Sequence, residues 1–98
     1  MRMMLKARFP MEPANRALEA GRFGRIIEAT IERLQPEATY FFVEGGCRAP
    51  IFVFDMKVQS DIPTFAEPLF SELDAEVELQ PTMTVEDLTK GLESAYAG

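Results

Sequence analysis

Asp55 is the side chain in this 98-residue sequence best suited to proton chemistry, because it ends an otherwise apolar run, Ile51-Phe52-Val53-Phe54. A carboxylate enclosed by apolar groups has a raised pKa and can abstract a proton from a carbon acid. Glu44, which closes a second aromatic run, is the other candidate base. Tyr40 can donate a hydrogen bond to a carbonyl or a developing enolate. Lys6 and Arg8 can hold a carboxylate ligand, Arg8 through two parallel N–H groups, and Asn15 can reach the same ligand or cap a turn. Each has a plainer role beside it. Asp55 can bond to a backbone amide or a nearby cation, Tyr40 can be a core aromatic with a wet hydroxyl, and Lys6 and Arg8 can pair with Glu76 and Glu78.

Much other chemistry is excluded. The sequence has no His and one Cys, so His-ligated zinc or haem, Ser-His-Asp and Cys-His pairs, and a disulfide within the chain all fall away. Only carboxylates remain to bind a cation, and no metal or cofactor is expected. Cys47 has no base near it in sequence and reads as an incidental thiol. Gly21-Arg22-Phe23-Gly24 has the spacing of a GxxG loop but follows no strand, so its glycines suit close helix packing better than phosphate or RNA.

The net charge of −6 and pI near 4.6 oppose association with nucleic acid or anionic membranes. Residues 1–34 hold seven basic and four acidic side chains, whereas residues 35–98 hold three and twelve, so the two parts should attract one another. Charge interrupts the first residues before a signal-peptide core can form, and no apolar run approaches the length of a membrane span. A reducing, cytoplasmic setting follows as the expectation.

These side chains must be positioned by a small set of elements. Met3, Leu5, Ala7 and Phe9 alternate with polar or charged residues at Arg2, Lys6 and Arg8, the period of a strand with one dry face. Ala17, Ala20, Phe23, Gly24, Ile27, Ile31 and Leu34 trace one helical stripe, predicting a helix of about twenty residues from Pro13 to Gln35-Pro36. Residues 38–44 and 51–58 read as a hairpin whose loop holds Gly45-Gly46 and Pro50. Ser60-Asp61 offers a cap to a second helix along Ile62, Phe65, Ala66, Leu69 and Leu73, which Pro68 should kink or delay. Ala75, Val77, Leu79 and Pro81 alternate as a fourth strand. Thr84-Val85-Glu86-Asp87 then begins a terminal helix with a capping box, Met83 stapling to Leu88.

Strand, helix, strand, strand, helix, strand is the split βαβ order of an α+β, ferredoxin-like domain: a four-stranded antiparallel sheet with two covering helices, plus the C-terminal helix of residues 84–98. The whole chain, 1–98, reads as one such domain. Its first and fourth strands are then neighbours, which sets Arg2, Lys6 and Arg8 beside Glu76 and Glu78 on the uncovered face. Tyr40-Phe41-Phe42-Val43 and Ile51-Phe52-Val53-Phe54 are apolar in both alternating sets, so one covered face cannot satisfy them. A second copy packed on the sheet face is the economical cover, although the sequence leaves open which set meets it.

Three segments carry a resemblance: the first strand MLKARFP, the segment FVFDM at 52–56 leading into a helix, and the closing VELQPTMTVEDL. Together they resemble the dimeric α/β-barrel superfamily, in the branch that includes muconolactone isomerase, and most of all its small uncharacterised members. The resemblance implies a homodimer whose two sheets face each other as a dimeric α/β barrel around a pocket. Enzymes of that superfamily commonly place a His or a dedicated acid-base residue there, and this sequence has no His to match.

Two functions fit these residues. One is a homodimeric module that binds a small molecule or serves as an accessory of another enzyme. The other is a cofactor-independent isomerase- or lyase-like enzyme using Asp55 or Glu44 as base on a small acidic or aromatic metabolite. A pocket joining Asp55 to Arg8 would favour the enzyme; an interior without an entrance would favour the module.

Overall fold

The computed structural model describes residues 1–97 and contains β1 (Arg2–Arg8), α1 (Met11–Glu19), α2 (Phe23–Leu34), β2 (Ala38–Glu44), β3 (Cys47–Asp55), α3 (Ile62–Leu73), β4 (Glu76–Pro81) and α4 (Val85–Ala95). The sheet is antiparallel in the order β2-β3-β1-β4, with β1 paired to both β3 and β4. This is the ferredoxin-like arrangement. Helices cover one face only, and the core lies beneath them.

The alternation in β1 settles which side chains share each face. Met3, Leu5, Ala7 and Phe9 are buried under the helices, so Arg2, Met4, Lys6 and Arg8 lie on the uncovered face. Register extends that division across the sheet. Leu5 opposes Phe52 and Leu79 on the helix side; Lys6 opposes Ile51 and Glu78 on the other. Phe52 and Phe54 are therefore core residues, and Phe54 meets Phe65 of α3 edge to face with ring centroids 5.4 Å apart.

The expected twenty-residue helix is two helices. Gly21 adopts φ +72°, a left-handed conformation that ends α1, and α2 restarts at Phe23. Pro13 sits in the first turn of α1, where none of the amides has an intrahelical acceptor to lose, and the helix starts two residues before it at Met11. Asn15 falls inside α1, exposed, so it does not cap a turn. The hairpin is tighter than expected. Gly45 and Gly46 (φ +57° and +79°) form the whole turn, β3 starts at Cys47, and Pro50 lies within that strand. The β1–β3 ladder is continuous only from Lys6↔Ile51 onward and resumes as an isolated Phe9↔Arg48 bridge beyond Pro50, which has no amide to donate.

α3 runs through Pro68 from a single 3-10 turn at Gln59–Asp61, without a side-chain cap from Ser60 or Asp61. α4 begins as its sequence predicts. The Thr84 hydroxyl accepts from the Asp87 amide at 3.1 Å, and the Asp87 carboxylate accepts from the Thr84 amide at 3.1 Å, which lowers the Asp87 pKa. No residue of α4 is buried, and its stripe of Val85, Leu88, Leu92 and Tyr96 is bare within the subunit. Of the terminal segment 84–98, only Gly98 lies outside the described residues. The projecting helix gives a radius of gyration of 15.8 Å, against about 13 Å for a compact domain of this length.

Candidate functional site

The uncovered sheet face is half apolar and half charged. Register places Ala38, Tyr40 and Phe42 of β2 opposite Val53, Ile51 and Ala49 of β3, giving an apolar half toward the β2 edge. On β1 and β4, Lys6 faces Glu78 and Arg8 faces Glu76. The division follows from the sequence: β1 alternates apolar with basic, β4 apolar with acidic, and β2 has apolar residues in both phases.

The charged half is internally paired. Lys6 Nζ donates to Glu44 at 2.9 Å and lies 3.1 Å from Glu78, and these two bonds, Glu44's first, raise its pKa. Arg8 donates through Nε to Glu76 at 2.8 Å and again through Nη2, and is likewise raised. A depression of about 220 Å³ lies between these five side chains. It carries two positive and three negative groups and is smaller than the 300 Å³ or so at which small-molecule pockets begin. Of the proposed ligand and acid-base residues, the fold thus unites Lys6, Arg8 and Glu44, with Tyr40 next to Ile51 in the same row. Their cations are occupied by Glu44, Glu76 and Glu78.

Asp55 and Asn15 lie elsewhere. Asp55 is at the far end of β3, six residues from Ala49, the residue opposite Arg8, a separation of about 20 Å along the strand. It is not enclosed by apolar groups, so its pKa is not raised. It is exposed and accepts from Lys57 Nζ at 2.5 Å and from the chain's first amine at 2.7 Å. Those bonds, Lys57's first, hold its carboxyl at about 2. Asn15 sits in the helical layer, on the other side of the sheet.

Sequence reasoning passed over a groove of about 410 Å³ between α2 and α3. Arg22, Arg25, Ala29 and Arg33 form one edge at helical spacing, and Ile26, Phe65 and Pro68 contribute apolar surface. Arg22 donates to Glu72 across the groove at 3.0 Å, whereas Arg25 and Arg33 have no carboxylate partner among the described residues. The signal was present as basic residues at 22, 25 and 33, recurring at helical spacing on the side of the helix away from the apolar stripe. A second depression of about 410 Å³ adjoins it near Arg33, Asp55, Lys57 and Phe65. Among the described residues, no group of three Asp, Glu or Cys side chains is placed to hold a metal ion, and no helix is long and apolar enough to cross a membrane.

No protein-family model matches the chain, and no curated protein matches it in sequence. Among solved structures it is similar to a formyltetrahydrofolate deformylase from Pseudomonas putida, with a TM-score of 0.53 and 13% identity over 84% of this chain. The likeness takes in only 29% of that longer protein. It is also similar to a de novo designed protein, Ferredog-Diesel, with a TM-score of 0.50 and 12% identity over 83% of this chain and 85% of that one. At such identities the likeness is one of backbone alone, and it agrees with the strand order: the chain has a ferredoxin-like α+β fold.

Proposed function

We propose that this chain is the subunit of a homodimeric binding module, assembled through its uncovered sheet face. The apolar half of that face carries the reading. Tyr40 is 67% exposed, and Phe42, Ile51 and Val53 are only partly covered, in a domain small enough to need every apolar contact. Packing against the same face of a second copy removes this surface from water and closes with two-fold symmetry. This is also the arrangement that the resemblance to dimeric α/β barrels implies.

Binding is better supported than catalysis. A carboxyl held at about 2 is a poor base near neutral pH, and Glu44 is engaged by Lys6. The isomerase- or lyase-like alternative, with Asp55 or Glu44 as base, therefore draws no help from the geometry. The ligand chemistry that suits the molecule is a small amphipathic anion, its charge held by Arg25 or Arg33 and its apolar body against Ile26, Phe65 and Pro68. The unbridged thiol of Cys47 suits a reducing, cytoplasmic setting. Native mass spectrometry of protein purified under mild conditions tests the proposal. A dimer carrying a dissociable anionic metabolite is expected, and Arg25→Ala with Arg33→Ala should release it. Ligand-free monomer contradicts the reading.

A further inference from the structure

A dimer through the uncovered face leaves a second apolar surface unexplained. In β2, Phe41 opposes Pro50 and Val43 opposes Arg48, so both point to the helix side of the sheet. They are nevertheless 58% and 75% exposed, because α2 packs on β3 and α3 on β4, over a core that includes β1, and leave the β2 edge bare. A partner sheet on the opposite face cannot reach them. The same subunit carries a further unpartnered apolar surface, the stripe of Val85, Leu88, Leu92 and Tyr96 on α4, of which Val85 and Tyr96 are at least 80% exposed.

We infer that α4 of each subunit straps across the β2 edge of its partner and covers Phe41 and Val43 from the helix side. The inference rests on the face-to-face dimer proposed above. β2 and β4 are the two edges of the sheet. A two-fold axis parallel to the strands sets the β4 edge of one copy against the β2 edge of the other. α4 leaves β4 only three residues after Pro81, so it emerges beside the partner's β2. Its eleven residues span about 16 Å, enough to pass over Phe41 and Val43, which lie about 7 Å apart along their strand.

Charge selects the same occupant. Arg48, directly across from Val43, has no carboxylate partner among the described residues and touches only the Met11 sulfur at 3.9 Å. α4 bears Glu86 and Glu93 two turns apart, on one flank of its apolar stripe. The cations of the uncovered sheet face are already paired, Arg2 with Glu37, Lys6 with Glu44 and Glu78, and Arg8 with Glu76, so that face offers the flank no free partner. Capture of an amphipathic helix by an apolar surface with a cationic border is a familiar mode of recognition.

The test uses mixed dimers of the full chain in a Cys47→Ser background. One copy carries a nitroxide on Ser94→Cys, which lies on the side of α4 away from the stripe, and the other is labelled with nitrogen-15, so that only contacts between copies broaden signals. Broadening at the amides of Phe41, Val43 and Arg48 is expected. Broadening confined to Ile26 and Ala29 in the α2–α3 groove, or to α4 itself, with the mass still that of a dimer, overturns the strap and leaves the face-to-face dimer standing. A monomer mass at every concentration removes both. As a second reading, Val43→Glu should weaken dimerisation at least tenfold while leaving the melting of dissociated subunits unchanged, since this side chain is largely exposed within the subunit. An unchanged dimerisation constant overturns the strap.

Discussion

Ile51 and Phe52 are neighbours in sequence on opposite faces of the sheet, so substituting each should damage a different property. Phe52 is fully buried, opposes Leu5 across the strands and meets Phe41 edge to face at 6.4 Å. Phe52→Ala should cost about 3 to 5 kcal/mol, a large part of the roughly 5 to 15 kcal/mol available to a small domain. With a urea dependence of about 1 to 2 kcal/mol per molar, the midpoint should fall by roughly 1.5 M or more. Ile51 lies between Tyr40 and Lys6 on the uncovered face and is only partly buried within the subunit. Ile51→Lys should change the unfolding stability of the dissociated subunit by less than about 1 kcal/mol. In the dimer it would set an unpaired ammonium against apolar surface in both copies, weakening association by at least about 100-fold, equivalent to about 2.7 kcal/mol. Urea unfolding followed by circular dichroism, beside sedimentation equilibrium, separates the two effects. If Ile51→Lys unfolds the subunit while Phe52→Ala does not, or if both lose the same stability with no change in mass, the assignment of faces is wrong.

Asp55 should titrate near about 2 by carbon-detected NMR. Because its folded pKa is lowered, its contribution is present above the unfolded value near 3.9 and is lost as pH falls toward 2, so Asp55→Asn should flatten the acid limb of stability; a midpoint near 4 would deny the Lys57 pairing. Thr84→Ala removes the α4 cap and should cost that helix about 0.5 to 2 kcal/mol. Gly91→Ala, where an added methyl meets open space, should stabilise the helix by about 1 kcal/mol. Hydrogen exchange of the α4 amides reads both changes. Gly46→Ala should lower stability by about 1 to 2 kcal/mol in urea unfolding, since φ is +79° and no neighbour crowds the site. Dialysis against a chelator should leave the melting temperature unchanged; a drop restored by one divalent metal would reveal a carboxylate site.

The strand order and the facing of Lys6 and Arg8 against Glu78 and Glu76 were legible because β1 and β4 each alternate cleanly. The same alternation failed in β2 and β3, where both phases are apolar; only the register of Leu5 with Phe52 shows that Phe52 and Phe54 are core while Tyr40 and Phe42 are not. The break at Gly21 was hidden because the apolar stripe continues through it, whereas the left-handed φ that stops α1 leaves no periodic mark. Asp55 misled for a related reason. Its neighbours in sequence are apolar, but at the strand end its neighbours in space are Lys57 and the first amine, and charge rather than burial sets its pKa. The arginines at 22, 25 and 33 were visible, yet their convergence on α3 depends on how two helices lie side by side, which sequence spacing alone does not encode.

Sedimentation equilibrium of the full chain over a range of micromolar concentrations is the most direct test of assembly through the uncovered face. The expected mass is about 22 kDa, twice that of the 11.0 kDa chain, falling to one chain in Ile51→Lys. A mass of 11.0 kDa at every concentration, with Tyr40 and Phe42 left in water, would contradict the account.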